Sequence, residues 1–249
     1  MSEALDLQGQ TVVVLGGSSG IGLETARLAR THGADVILTA RDPDRLRAAA
    51  ADVGAQQVAP FDLTDLDRLD RFFGDLEAPI DHVLVTGPGP YYAPLAEMDF
   101  DLARRDVEHR LVGTLAIARA ASARMRPPGT LLLIGGTGGR ASGVGLTLIS
   151  ALSAALEALV ASLAVELAPL RANVIAAGFV DTPLSAALLG DGLDDRRAAL
   201  RAALPIGRVV GPADVAALAI HLMTNTALTG ATYDIDGGQQ LLSNRAGAR

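Results

Sequence analysis

The 249-residue sequence predicts an α/β fold: one doubly wound parallel sheet of about seven strands, with helices on both faces. Three observations predict it. Short β-branched runs alternate with longer helical patterns, and repeated strand–helix–strand units require parallel strands joined by right-handed crossovers. The run Thr11-Val12-Val13-Val14-Leu15 is apolar without alternation, as a strand covered on both faces must be. A glycine-rich turn follows that run at once and leads into a helical pattern.

The elements follow in order. The first helical pattern covers about 21–32, and Asp35-Val36-Ile37-Leu38-Thr39 is the second strand. Asp42-Pro43 opens the next helix, with Asp as the N-cap and Pro at the first helical position, where no N–H is needed. Further strands are predicted near 57–61, 82–86, 130–135, 173–177 and 232–235, and long helices near 100–124 and 146–169. In the second long helix Leu148, Leu152, Leu156, Leu159, Leu163 and Leu167 recur at helical spacing. Residues 148–165 form the most apolar stretch, yet they carry Glu157 and several serines. They read as a helix buried in the core or at a subunit contact rather than as a membrane span. No repeat, low-complexity linker or compositional break divides the chain, so 1–249 reads as one domain. Within it, 184–204 is a candidate substrate lid and 243–249 a candidate disordered tail.

Composition narrows the function. Aromatics are 3% of the chain, so Leu, Val, Ile and Ala must fill the core. A net charge of −7 argues against nucleic acid as a partner. The absence of cysteine excludes disulfides and thiolate chemistry, and no metal site is expected. Residues 1–6 have neither a basic start nor an apolar signal core, so a cytoplasmic location is expected. All 21 basic residues are arginine, and the chain has no lysine.

Gly16-Gly17-Ser18-Ser19-Gly20-Ile21-Gly22 lies between the first strand and the first helix, where a phosphate loop belongs. Glycines let the backbone approach a pyrophosphate, and the helix N-terminus adds free N–H groups and partial positive charge. This G-x-x-x-G-x-G spacing resembles the short-chain dehydrogenase/reductase family, a single-domain Rossmann fold, and the likeness extends over about 7–242. Asp62-Leu63 after the third strand resembles the family's adenine-binding pair, and Gly87 lies in the family's cofactor-facing turn after the fourth. Residues 173–183 resemble the segment that contacts nicotinamide, which implies roles for the Val180 backbone and the Thr182 hydroxyl; Ala177 stands where the family usually has Pro. Residues 205–208, 212–216 and 234–238 resemble the C-terminal signatures. At the end of the second strand an acidic residue would bind a ribose 2′-hydroxyl, but this chain has Ala40-Arg41. A guanidinium pairs with a 2′-phosphate through two hydrogen bonds, so NADP(H) is favoured over NAD(H), with Arg45 as a helper.

The same resemblance implies a Ser, a Tyr and, four residues on, a Lys as catalysts, and an Asn that holds a relay water. Here Gly136 occupies the Ser position, with Thr137 beside it; Ile149 occupies the Tyr position, Ser153 the Lys position and Arg110 the Asn position. The turn after the fourth strand reads Thr86-Gly87-Pro88-Gly89-Pro90. Three readings follow. The preferred one is an atypical NADP(H)-dependent oxidoreductase with a rebuilt site, reducing a small carbonyl, enone or imine. Its candidate residues are Tyr91 and Tyr92 as proton donors, His109 as an acid, Arg110 as an oxyanion or carboxylate partner, and Thr137. Arg110 alternatively pairs with Asp106 one turn earlier. A cation at position 110 opposes an iminium, so carbonyls and enones rank above imines. The other readings are a catalytically inactive NADP(H)-binding sensor or partner subunit, and a non-redox enzyme. Relatives assemble through their two long helices, which implies a homodimer or homotetramer.

Overall fold

Period-two alternation organises the core. In β1 (Thr11–Leu15), Val12 and Val14 enter one apolar cluster while Val13 and Leu15 enter another. The computed structural model describes residues 6–140 and 142–246. It places β1 with β2 (Asp35–Ala40), β3 (Gln57–Pro60), β4 (Ile80–Val85), β5 (Met125–Gly136), β6 (Arg171–Ala177) and β7 (Thr232–Ile235) in one sheet. The order is β3-β2-β1-β4-β5-β6-β7, and every pairing is parallel.

Helices cover both faces. α1 (Gly20–Thr31), α2 (Pro43–Val53) and α9 (Pro212–Thr224) bury Ala26, Leu46 and Ala219 in the first cluster. α3 (Leu66–Gly74), α5 (Thr114–Ser122) and α6 (Thr147–Glu166) bury Phe73, Ile117 and Val160 in the second. Asp42 caps α2 as expected: its carboxylate accepts from the N–H groups of Asp44 and Arg45, and Pro43 stands in the first turn. α6 has the length and hydropathy of a membrane span, yet it packs on the sheet through Ile149, Leu152, Leu156, Val160 and Leu163.

Three boundaries differ most from the sequence expectation. β5 begins at Met125, because Met125 pairs with Ile80 ahead of a register shift and Arg126 grips Asp81 at 2.6 Å. α6 stops at Glu166; Pro169 turns Ala168 away from helical geometry. The helix expected over 100–124 is α4 (Phe100–Val107), a π turn over Glu108–Gly113, and α5. The lid candidate 184–204 folds as α7 (Pro183–Leu189) and α8 (Leu193–Ala203) around a turn at Gly190. α10 (Gln239–Ala246) takes up the start of the tail expected over 243–249, and residues 247–249 lie outside the described residues.

Arg171 is a buried bolt. Its guanidinium donates to the carbonyls of Pro128, Leu222, Met223, Asn225 and Leu228, and so ties the start of β6 to the end of α9. The last turn of α9 leaves carbonyls that need donors, and one rigid fork supplies them.

Candidate active site

The sheet order reverses between β1 and β4, so their C-terminal ends open a crevice. Gly16 and Thr86 form its floor. The Thr86 hydroxyl donates to the carbonyls of Leu15 (3.1 Å) and Gly16 (3.0 Å). Gly16 has φ +92°, and a Cβ there would lie 2.5 Å from the Thr86 carbonyl oxygen. A Cβ at Gly22 would strike the Gly16 carbonyl oxygen. The turn is therefore closed to side chains at both positions, and its backbone faces the crevice. Ser19 takes the N-cap position of α1 without a side-chain cap bond, and Ile21 packs into the core beneath.

At the end of β2, Arg41 lies 3.9 Å from Asp62, and its side chain is 73% exposed. The Asp62 carboxylate accepts from the N–H (3.0 Å) and hydroxyl (2.9 Å) of Thr64. Burial raises the Asp62 pKa, but these bonds, with Arg41 and His109, hold it below the ordinary carboxylate value. Leu63 packs against the core. Ser18 and Arg45 line a groove of ≈ 290 Å³ between α1 and α2, where Arg27 is already taken by Glu24 (3.0 Å) and Asp52 (2.7 Å).

On the opposite wall, Thr182 caps α7 by accepting from the Ser185 N–H at 3.2 Å, and the Ser185 hydroxyl donates to the Val180 carbonyl at 2.6 Å. A Cβ at Gly20 would lie 3.5 Å from Thr182, so the glycine turn and the start of α7 face each other across the crevice. Arg197 of α8 holds Asp181 with two bonds, of 2.7 and 2.9 Å. Sequence reasoning missed Ser185 and Arg197, since neither lies in a motif.

The π turn carries His109 and Arg110 to Gly87. They line a cavity of ≈ 30 Å³ with Gly87 and Thr114 against apolar walls that include Val85, Leu133 and Leu156. Arg110 donates to Asp106 at 2.7 Å, and Asp106 is only 8% exposed. The structural pairing is thus the one the fold adopts, and it spends one edge of the guanidinium. The second amino group reaches the Pro88 carbonyl at 3.4 Å. Burial lowers the His109 pKa and neighbouring Arg110 lowers it further, against the opposite pulls of Asp106 and Asp62. Its buried Nδ1 has no protein partner. His109 is therefore neutral near pH 7, a hydrogen-bonding group more than a cationic acid.

The tyrosines divide. The Tyr91 hydroxyl accepts from the Asp99 N–H at 2.8 Å, while its own N–H donates to Asp106 at 3.3 Å. Tyr92 is 51% exposed, and its covered part raises the phenol pKa. Gly136 ends β5, and Thr137 is buried in the short 3₁₀ turn Thr137–Arg140 that follows. Ile149 lies buried in the first turn of α6. Ser153 is covered by Gly139, where an added Cβ would overlap the serine side chain. Arg140 fixes that contact by holding Glu157 of α6 (2.8 Å) and Asp234 of β7 (2.6 Å).

A doubly wound sheet with a glycine turn at its switch point, and a mainly apolar cavity carrying His109 and Arg110 beside it, defines a Rossmann-type dinucleotide-binding oxidoreductase. The chain belongs to the short-chain dehydrogenase/reductase family: a family model described as Enoyl-(Acyl carrier protein) reductase matches residues 16–240. Short-chain dehydrogenase/reductase malC of Malbranchea aurantiaca is 28% identical, over 94% of this chain and 96% of that protein. Cis-4-hydroxycyclohexanecarboxylate dehydrogenase of Sinomonas cyclohexanicum is 32% identical, over 92% of this chain and 96% of that protein. Among solved structures, the MalC reductase/Diels-Alderase of Malbranchea aurantiaca has a TM-score of 0.88 at 27% identity, over 94% of this chain and 98% of that chain. A small-chain dehydrogenase in complex with NADPH has a TM-score of 0.80 at 25% identity, over 93% of this chain and 99% of that chain.

Proposed function

We propose that the chain is an NADP(H)-dependent oxidoreductase that transfers hydride to a small carbonyl, enone or imine through a rebuilt site. The observation that carries this reading is the alignment of the Gly16–Gly22 turn, Thr182 and the His109–Arg110 cavity along one crevice, in a chain without lysine. Arg41 supports the 2′-phosphate preference, because its extended side chain holds Asp62 only loosely at 3.9 Å. Gly136 and Ile149 supply no hydroxyl at the family's Ser and Tyr positions, Ser153 supplies no amine at its Lys position, and Gly139 fills the space over Ser153.

Bound NADPH supplies the hydride. The glycine turn and the N-terminus of α1 would hold its pyrophosphate, with Thr182 facing the turn, and Gly87 and the Val180 backbone would orient the nicotinamide. Arg110 donates toward the reacting group, and neutral His109 offers one N–H. None of these groups is a strong acid near pH 7, so the reading favours substrates that accept hydride at carbon and take their proton later from water. Asp106 offsets the Arg110 charge, so the bias against an imine is weaker than a bare guanidinium would give.

The alternative readings are a catalytically silent NADP(H)-binding sensor or partner subunit, and a non-redox enzyme. The weak acidity of the cavity favours keeping the second, and the Malbranchea aurantiaca protein is described as both a reductase and a Diels-Alderase. The proposal includes a cytoplasmic homodimer or homotetramer formed through α6 and the α4–α5 helix, which expose Val165, Leu102, Val112 and Leu115, with no nucleic-acid or membrane partner. The test is a fluorescence titration with NADPH and NADH, then NADPH oxidation over a carbonyl, enone and imine panel. Tyr91→Phe and Tyr92→Phe lower turnover if either phenol donates. Unchanged turnover in both removes them, and binding without any turnover favours the silent reading.

A further inference from the structure

We infer that the substrate is an uncharged molecule with a bulky apolar body, which rests on the mouth of the cavity while only its reacting group enters. This inference rests on the oxidoreductase reading above. The magnitude that forces it is the cavity volume of ≈ 30 Å³. That is room for a water or two, whereas pockets that enclose a whole drug-sized ligand run to roughly 300 Å³ or more. Most of any substrate must therefore lie outside, against the rim.

Three segments build that rim. Gly89 meets α7, for a Cβ there would lie 2.9 Å from a Leu184 methyl. Gly145 meets the same loop lower down, for its Cβ would lie 3.7 Å from Pro94 N. The 87–94 loop also touches the cavity directly through Gly87 and the Pro88–Arg110 bond. Residues 87–94, 142–146 and 183–189 contain no charged side chain, in a chain that is 20% charged. Their outward side chains are instead apolar: Tyr92 is 51% exposed, Val144 89%, Leu184 45% and Leu188 52%. Of the four rim hydroxyls, Tyr91 accepts from the Asp99 N–H and Ser185 donates to the Val180 carbonyl, while Tyr92 and Ser142 are exposed. A phosphate or a carboxylate meets no cation on these segments, while an aromatic or alicyclic body covers the exposed leucines.

Two measurements test this. The first is fluorescence titration with N-phenyl-1-naphthylamine, an uncharged apolar probe, with NADPH present. The expected result is saturable binding that weakens at least about fivefold in Leu188→Ser and in Val144→Ser. Val144 is an exposed loop residue, so V144S stays informative if L188S loses α7. The second compares NADPH oxidation with 2-cyclohexenone and with 4-phenyl-3-buten-2-one. The larger enone is expected to show kcat/KM at least about tenfold higher in the wild type, and the advantage shrinks in both variants. Equal probe binding in wild type and variants overturns the inference. So does a change of oligomeric state in the variants with probe binding unaltered, which would mean a second copy covers this face. If nothing in the carbonyl, enone and imine panel is reduced but the probe binds as expected, the oxidoreductase reading fails while the apolar mouth stands.

Discussion

The Asp106–Arg110 pair decides how much charge the cavity holds, and breaking it has a calculable cost. Asp106 is 8% exposed and Arg110 lies 2.7 Å away, so the carboxylate is shielded from bulk water. Removing one member of a buried pair leaves the other charge uncompensated, at about 3–5 kcal/mol. Asp106→Leu should therefore lower stability by that amount. For a domain of this size each kcal/mol moves Tm by roughly 2–4 °C, so the midpoint should fall by about 6–20 °C. Arg110→Met should cost a similar amount, since it strands the carboxylate. The double variant D106L/R110M should recover most of the loss, because two apolar side chains of similar size replace a pair that is nearly neutral overall. About 1 kcal/mol should remain, from the Tyr91 N–H that loses its Asp106 acceptor. The assay is guanidinium denaturation of all four proteins, read as a double-mutant cycle. If the two single losses simply add, or if D106L costs under about 1 kcal/mol, the pair is uncoupled. Arg110 would then be a free cation, and the case for tolerating an imine would collapse.

Other expectations follow from single contacts. Gly139→Ala should cost about 1–3 kcal/mol, because its Cβ would overlap Ser153, whereas Gly138→Ala, with nothing within 4 Å, should be near neutral in the same melt. Burial drives the His82 pKa down to about 4, with Asp81 opposing and Arg171 assisting. The unfolded chain then binds the proton first, so stability is full above pH 6.5 and falls as pH drops toward 4, by roughly 3 kcal/mol. His82→Gln should flatten that slope in urea titrations at pH 7, 6, 5 and 4.5, and an unchanged slope would assign the acid sensitivity elsewhere. Arg41→Ala should weaken NADPH binding by roughly 10- to 100-fold and leave NADH within about twofold, as loss of a charge-assisted bond requires. Equal losses for both would remove the 2′-phosphate assignment.

Strand placement was the easiest part to read. A strand covered on both faces needs an unbroken apolar run, and residues 11–15 match β1 residue for residue; the less buried edge strand β7 also spans the expected 232–235. The Asp42-Pro43 cap was equally plain, because capping depends on neighbours in sequence. Met125–Pro128 was hidden, since Arg126-Pro127-Pro128 carries no strand pattern and is tied in by distant partners: Ile80 at Met125, Asp81 at Arg126 and Arg171 at Pro128. Arg171 was hidden too: an arginine gives no sign that five carbonyls from other segments will converge on it. In the site, the glycine turn was legible because its chemistry is local. The coverage of Ser153 by Gly139 and the apolar rim were not, for each depends on segments that meet only in three dimensions.

The π turn between α4 and α5 works as a phase corrector. Successive residues of an α-helix advance by 100°, and one surplus residue rotates everything after it by that angle. Ala103 and Asp106 face inward before the turn, and Ile117, Ala118 and Ala121 face inward after it, because Glu108–Gly113 absorbs the surplus. A chain shorter by one residue here could keep one set buried but not both. The turn also makes residue-by-residue comparison with relatives sensitive to where a gap is placed. A slip of one position exchanges His109 for Arg110 in the slot that faces Gly87, and with it a neutral imidazole for a paired guanidinium.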